Sequence, residues 1–181
     1  MLLMCATSSA QMKWNQSYQT YINQYKDLAI EQMLRYRIPA SITLAQGLFE
    51  SRAGQSDLAR QGNNHFGIKC HNWTGPTQYH DDDAHGECFR VYQDAKESYE
   101  DHSRFLAKQP RYSRLFSLNT TDYKGWAHGL KSCGYATNPQ YANKLIQIIE
   151  LYRLQDYDKA KSYDRFMATH SGTDVPINAE G

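Results

Sequence analysis

Hydrophobic positions recur every three or four residues along most of the chain, with polar positions between them. In the first part of the chain this spacing predicts a long amphipathic helix that ends before Pro39. Pro39 is typical of a first helical residue and Gly54 of the residue that follows a helix, so a second, short helix is predicted between them. Because Ile42, Ala45 and Leu48 repeat on it at helical spacing, we expect this second helix to be largely buried.

The spacing changes between residues 65 and 92, where glycines and a proline separate short extended pieces. This pattern predicts a small β-hairpin or irregular lobe. Its extended pieces are expected at 66–70, 76–80 and 87–91, and its turn at 84–86.

Helical spacing returns after this segment. Asp94 and Glu97 form a capping box, which is typical of a helix start. Two further helices are predicted, one at 123–132 and a last long one with Asn138 as its cap and Pro139 as its first residue. The whole pattern predicts an α+β fold that is predominantly α, with one small β-hairpin lobe inserted between helices.

The 181 residues fit one domain with a sizeable hydrophobic core. The formal net charge of +1 excludes a nucleic-acid partner bound by bulk charge, since a basic stripe is the usual footprint of such binding. Residues 1–10 resemble the end of a secretory signal with cleavage after Ala10, and a lipid attached at Cys5 is the alternative. We therefore divide the chain into a signal-like segment (1–10), one domain (11–156) and a polar, partly disordered extension (157–181).

A cleaved signal predicts an exported protein, periplasmic or at the cell surface, and we expect a monomer. No later stretch approaches the roughly 18 apolar residues of a membrane span, so no stable membrane insertion is expected.

Export also makes disulfides favourable. Cys70 and Cys88 flank one loop-rich segment and are predicted to pair, which leaves Cys133 as a buried thiol. The alternative for either of the first two cysteines is a nucleophile that acts with a histidine.

Glu50 is the candidate for acid chemistry, because it falls in the last turn of the predicted second helix, next to apolar side chains. The C-terminal end of a helix carries partial negative charge, and an apolar environment disfavours an anion. Both effects raise the pKa of a carboxyl group, as a general acid that protonates the leaving oxygen of a glycosidic bond requires. The alternative is a surface residue paired with Arg52 or Arg60.

Several short motifs occur in the order found in one enzyme family. They are Pro-Ala-Ser-Ile-Thr-Leu-Ala-Gln at 39–46, Glu-Ser at 50–51, Asn-Asn-His-Phe-Gly-Ile-Lys at 63–69, Trp-Thr-Gly at 73–75, Phe-Arg-Val-Tyr at 89–92 and Gly-Tyr-Ala-Thr-Asn-Pro-Gln-Tyr-Ala at 134–142. Together they resemble the catalytic domain of glycoside hydrolase family 73, the bacterial endo-β-N-acetylglucosaminidases of the flagellar muramidase and autolysin type. The resemblance implies a lysozyme-like fold and an enzyme that cuts the glycan strands of peptidoglycan without a cofactor.

The resemblance assigns roles to individual residues. Glu50 occupies the position of the family's general acid, and a second carboxylate is expected on the hairpin. Here the chain departs from the family pattern, because Asp81, Asp82 and Asp83 stand where a glutamate is usual. Asp82 is nearest the expected position, Asp83 is a substrate-binding candidate beside it, and Glu87 is a further neighbour.

Other positions that match the family are expected to line the groove. Tyr135 could orient the N-acetyl group of the substrate or a water, with helix capping and packing as the alternative. Asn64, Phe66 and Trp73 are the remaining substrate-binding candidates, and Trp73 could equally be a core side chain.

Three rival interpretations remain at the level of sequence. His71 and the acidic, histidine-containing stretch at 80–85 could hold a metal ion, although no calcium-loop pattern is complete there and no functional metal is expected. The replaced hairpin carboxylate would also suit a glycan-binding module that has lost catalysis. A lytic transglycosylase, which uses one helical glutamate in a related fold, is the third.

Overall fold

The computed structural model describes residues 11–80 and 86–162. Within these ranges the chain forms six α-helices and two β-strands. In chain order they are α1 (Gln16–Tyr36), α2 (Ala40–Glu50), α3 (Asp57–Gly62), β1 (Thr77–His80), β2 (Glu87–Arg90), α4 (Ala95–Lys108), α5 (Tyr123–Ser132) and α6 (Tyr141–Leu151), with 3-10 segments at Pro110–Ser117 and Leu154–Lys159. The predominantly helical α+β fold with a small β lobe is confirmed.

Helix α2 lies at the centre of the helical part. Every residue from 40 to 48 is buried, and α1, α5, α6 and the 3-10 segment Leu154–Lys159 pack around the helix. A helix that is covered all round needs no polar face, which explains why its sequence is so apolar. None of the helices in the described ranges combines the length and apolarity that crossing a membrane would require.

The end of α2 differs from the prediction. The helix stops at Glu50 rather than just before Gly54, and Arg52, Ala53 and Gly54 all adopt positive φ. The Ser51 hydroxyl accepts a hydrogen bond from the Gly54 amide at 2.8 Å, which stabilises this tight turn. Glu50 is therefore the last helical residue and lies where the central helix reaches the surface.

The β lobe is smaller than predicted. Strands β1 and β2 pair antiparallel, with Thr77 opposite Arg90 and His80 opposite Glu87. The expected extended piece at 66–70 contributes only an isolated bridge, Lys69 with Phe89. Its backbone is held by Asn64 instead, as described below. Apart from Gly86, the predicted hairpin turn at 84–86 lies outside the described residues.

Two helix starts test the capping predictions with different results. The Asp94 side chain accepts from the Glu97 amide at 2.8 Å, so the predicted cap is confirmed, and the Glu97 carboxylate accepts from the amide of Gln93, one residue before the cap. The last long helix begins at Tyr141, two residues later than predicted. The Asn138 side chain accepts from the Gln140 amide, and this contact closes a turn rather than a helix.

The 3-10 segment Leu154–Lys159 packs against the start of α2, although the polar extension was expected to begin at residue 157. Asp158 is 4% exposed and accepts hydrogen bonds from both the amide and the hydroxyl of Ser41. Pro39, which precedes α2, has no side chain that could cap the helix. An aspartate 117 positions away therefore caps the central helix.

A disulfide joins Cys70 and Cys88, as predicted, and fastens the 70–73 turn to strand β2. Cys133 is free and half-buried.

Replacing both paired cysteines by serine is expected to lower the free energy of unfolding by about 3 kcal/mol, since the closed loop restricts the unfolded chain. Urea denaturation followed by circular dichroism measures it. Cys133→Ser is the control, and an equal loss of stability in that variant would contradict the assignment.

Candidate active site

Glu50 lies between two cavities and lines both of them. The larger has a volume of about 480 Å³ and extends toward the 3-10 segment Pro110–Ser117 and α6. The smaller, of about 370 Å³, extends toward α3 and the β-hairpin. A carboxyl group at the junction of two adjoining cavities can reach the middle of an extended ligand that occupies both.

The two cavities are lined by different chemistry. The larger is mainly aromatic, with polar groups at its edge: Phe49, Phe66, Lys69, His71, Phe105, Arg111, Tyr112, Tyr135, Thr137, Asn138 and Tyr141 line it together with short backbone stretches. The smaller is mainly polar and is lined by Arg52, Gln55, Ser56, Asp57, Leu58, His80, Glu87 and Phe89. Aromatic faces edged by hydrogen-bonding groups suit sugar rings, which have apolar faces and polar rims.

Burial raises the pKa of Glu50 to about 7, and a hydrogen bond with the Tyr141 hydroxyl lowers it in part. No cation contributes to this shift, which argues against the surface ion pair with Arg52 or Arg60. The carboxyl group is half-buried and therefore holds a proton near neutral pH while facing both cavities. A group in this state can act as a general acid.

A chain of buried hydrogen bonds runs behind Glu50. The Gln46 amide donates to the Tyr141 hydroxyl at 2.9 Å, and the His102 Nε2 lies 3.0 Å from the Gln46 carbonyl oxygen. Burial lowers the pKa of His102 to about 3, so the ring is neutral and Nε2–H is the donor. Because the Tyr141 oxygen already accepts from Gln46, its own proton is left for the Glu50 carboxyl group.

The sequence analysis did not single out Tyr141 or His102 as site residues. Gln46 could have been identified from the sequence, because it lies four residues before Glu50 on the same helix face. No pattern in the sequence predicts that α4 and α6 pack against that face of α2. The Phe66 ring stacks on His102 with 3.9 Å between centroids and completes the packing of this chain of side chains.

Two of the predicted groove residues line the larger cavity. Phe66 is buried at its base, and Tyr135 stacks on Tyr141 with 5.7 Å between ring centroids. Burial and the nearby Glu50 charge raise the pKa of Tyr135 well above its usual range, so its hydroxyl stays protonated. Tyr135 can therefore donate a hydrogen bond to a ligand next to Glu50.

The structure places Asn64 and Trp73 elsewhere, and neither lines the two cavities that contain Glu50. Asn64 is 1% exposed, and its side chain bonds the Ile68 backbone through both its amide and its oxygen, and also the Arg90 carbonyl. The Trp73 indole donates to the Pro76 carbonyl. The Asn64 side chain thus holds the loop that carries Phe66 to the cavity, and the Trp73 side chain holds the turn at 73–76.

The hairpin candidates Asp82 and Asp83 lie outside the described residues, as does the proposed metal-binding stretch apart from His80. Their described neighbour Glu87 lines the smaller cavity and forms an ion pair with Lys69 at 2.7 Å. Asp57 lines the same cavity. Within the described ranges no three histidine, cysteine or acidic side chains lie close enough together to hold a metal ion.

Comparison with protein families matches residues 26–154 to the glucosaminidase model, described as mannosyl-glycoprotein endo-beta-N-acetylglucosaminidase. Among individual proteins, the exo-glucosaminidase LytG of Bacillus subtilis is 35% identical over 69% of this chain and 48% of its own length. The peptidoglycan hydrolase FlgJ of Vibrio cholerae is 31% identical over 79% of this chain and 45% of its own. The chain thus spans less than half the length of these curated relatives.

A solved structure has the same fold over nearly its whole length. The catalytic domain of the autolysin Auto from Listeria monocytogenes superposes with a TM-score of 0.68 and 30% sequence identity. The superposition covers 82% of this chain and 91% of that domain.

Proposed function

This chain belongs to the glucosaminidase family, and from that premise we propose that it hydrolyses N-acetylglucosaminyl bonds of bacterial peptidoglycan, as an endo-β-N-acetylglucosaminidase. The resemblance to glycoside hydrolase family 73 is thereby confirmed. The observation that best supports this activity is the half-buried Glu50, which holds a proton near neutral pH at the junction of two cavities.

In the proposed reaction Glu50 donates its proton to the glycosidic oxygen as the bond to the sugar carbon breaks. The carboxylate that results is stabilised by the Tyr141 hydroxyl, whose proton is directed to it by Gln46. Tyr135 is proposed to orient the N-acetyl group of the substrate or an attacking water. The protein groups thus supply the proton and the positions of the reacting atoms.

Asp82 remains our proposal for the second carboxylate, with Asp83 as a substrate contact. It is supported by the family resemblance and by His80, which lines the smaller cavity just before this stretch begins. A carboxylate about 5 to 5.5 Å from Glu50 would favour a covalent intermediate and retention, whereas about 6.5 to 9.5 Å would leave room for a water and inversion. Attack by the N-acetyl group of the substrate would need the carboxylate only for orientation.

We propose an extracytoplasmic location, periplasmic or at the cell surface, because peptidoglycan lies outside the cytoplasmic membrane. The names of the relatives, a peptidoglycan hydrolase and a bacterial glucosaminidase, support this substrate. The signal-like residues 1–10 support export. Peptidoglycan glycan strands are then the partner, and the chain is proposed to act as a monomer.

Product analysis tests the proposed activity. Purified peptidoglycan is digested with the chain, reduced with borohydride and examined by mass spectrometry, with heat-denatured protein as control. Glucosaminitol ends are the expected result. Muramitol ends, anhydro-muramyl ends or a lack of fragments would each contradict the proposal, and the last two would favour a transglycosylase or a glycan-binding module. A high-mannose glycoprotein, digested in parallel, separates a peptidoglycan enzyme from one that acts on glycoproteins.

The pH dependence follows from the state of Glu50. Cleavage is expected to fall about tenfold per pH unit above about pH 7, since the general acid must carry its proton. Tyr141→Phe removes a group that stabilises the Glu50 anion, so the alkaline limb should move to higher pH. The profile of kcat/KM on soluble glycan strands measures the shift. Tyr123→Phe, whose hydroxyl contacts Glu150 instead, is the control, and a shift to lower pH in Tyr141→Phe would refute this role.

A further inference from the structure

The two cavities that meet at Glu50 differ in charge. Glu50 is the one carboxyl group among the residues that line the larger cavity, alongside the basic side chains Lys69, His71 and Arg111. The smaller cavity is lined by the carboxylates of Asp57 and Glu87 in addition to Glu50, and also by Arg52 and His80. An extended ligand therefore meets mainly basic side chains at one end and side chains of both signs at the other.

Arg111 carries the charge that is available to a ligand in the larger cavity. Lys69 is already paired with Glu87 at 2.7 Å. Among the described residues, no carboxylate lies within 4 Å of the Arg111 guanidinium. An arginine that lines a cavity without an acidic partner can bind an anion there at little cost in broken ion pairs.

The Arg111 side chain is exposed, and its guanidinium lies over aromatic rings. Its carbon lies 4.7 Å from the centroid of Tyr112 and 6.0 Å from that of Phe105, both of which line the same cavity. A guanidinium held over a ring keeps N–H donors at its edge, and this fork of donors matches the two oxygens of a carboxylate. The same cavity thus presents rings for a sugar face and a fork of donors for an acid.

Peptidoglycan strands alternate a neutral sugar, N-acetylglucosamine, with N-acetylmuramic acid, which carries a lactyl carboxyl group and through it the stem peptide. Resting on the proposed function for the identity of the substrate, we propose that Arg111 binds a carboxylate of the muramic-acid unit. The larger cavity then holds this acid-bearing sugar, and the smaller cavity holds the neutral sugar on the other side of Glu50. Because Arg111 lies on one side of Glu50 only, its contact fixes the direction of the strand across the site.

The test measures binding, so that it does not depend on turnover. Glu50→Gln serves as the parent chain, because its glycans stay intact, and titration calorimetry gives the dissociation constants. Three tetrasaccharides are compared: one with stem peptides, one from which an amidase has removed them to leave the lactyl carboxylate, and neutral chitotetraose. Arg111→Gln is added to the parent, and Arg114→Gln is the matched control, since Arg114 lies in the same 3-10 segment but contacts Ser132 and Cys133.

Arg111→Gln is expected to weaken binding of the acidic glycans about tenfold and that of chitotetraose less than about twofold. A loss confined to the amidase-treated glycan assigns the contact to the free lactyl carboxylate, and a loss confined to the stem-bearing glycan assigns it to a carboxylate of the peptide. A loss for both shows that Arg111 binds either acid. The inference would be overturned if Arg111→Gln weakened binding of all three ligands equally or if Arg114→Gln showed the same pattern. It would also be overturned if the parent chain bound the acidic glycans no more tightly than chitotetraose. Failure of the proposed function appears separately, as the absence of cleavage by the unmodified chain.

Discussion

Glu50→Gln is expected to reduce the rate of glycan cleavage by about a thousandfold or more, with KM nearly unchanged. An amide fills the same space and still forms hydrogen bonds, but it has no proton of suitable acidity to give to the leaving oxygen. Loss of a general acid typically costs about 100-fold to 10,000-fold, and Glu50 is proposed as the main proton donor. Release of reducing ends from soluble glycan strands, measured near pH 6, gives both constants.

Glu150→Gln is the matched control for this experiment. Glu150 lies on the exposed side of α6 and pairs with Lys124, away from both cavities. Its replacement should leave kcat/KM within about twofold of the unmodified chain, because an exposed ion pair contributes little. If Glu50→Gln retained more than about a tenth of the activity, the proton would have to come from another group.

Glu50→Gln is also expected to change the stability of the folded chain, by an amount that depends on pH. In the folded chain the pKa of Glu50 is raised to about 7, above its ordinary value of 4.5, so folding favours the protonated form. Its contribution to stability is present in full below about pH 4.5 and is lost as the pH rises through about 7. Glu50→Gln should therefore be as stable as the unmodified chain in acid and more stable above neutral pH. Melting temperatures at the two pH values separate a folded, inactive variant from a misfolded one.

Asp158→Ala is expected to lower the free energy of unfolding by about 3 kcal/mol. It removes the acceptor for the Ser41 amide and hydroxyl, both buried at the start of α2, and an unsatisfied buried polar group costs about 1–3 kcal/mol. Asp158 lies beyond residue 154, where the match to the family model ends, so a chain cut at that boundary should show a similar loss. Urea denaturation measures both.

The stability experiment has a control within the same 3-10 segment. Asp156 is exposed and pairs with Arg153 and Lys159 at the surface, so Asp156→Ala should change stability by less than about 1 kcal/mol. Asp158→Asn keeps an acceptor for the Ser41 amide and should fall between the two alanine variants. Equal effects of both alanine variants would show that Asp158 does not act as a remote cap.

Local signals in the sequence were sufficient for most of the secondary structure. Helix α4 begins just after its predicted cap, Asp94, and α5 spans the predicted residues 123–132, because such local signals act within a few residues of their own position. Two boundaries were wrong where side chains made competing local contacts. The Ser51 hydroxyl holds the turn that ends α2 early, and the Asn138 side chain closes a turn before α6.

The sequence by itself determined the helical fold with its small β lobe, the disulfide and the family, and it singled out Glu50 as the candidate acid. Each of these depends on spacing, on residue type or on a helix end, all of which can be read locally. Only the tertiary structure decided what surrounds Glu50: the Tyr141, Gln46 and His102 hydrogen bonds, the Asp158 cap and the basic cavity at Arg111. These contacts join residues tens of positions apart, and no local pattern encodes them because they exist only once the helices have packed.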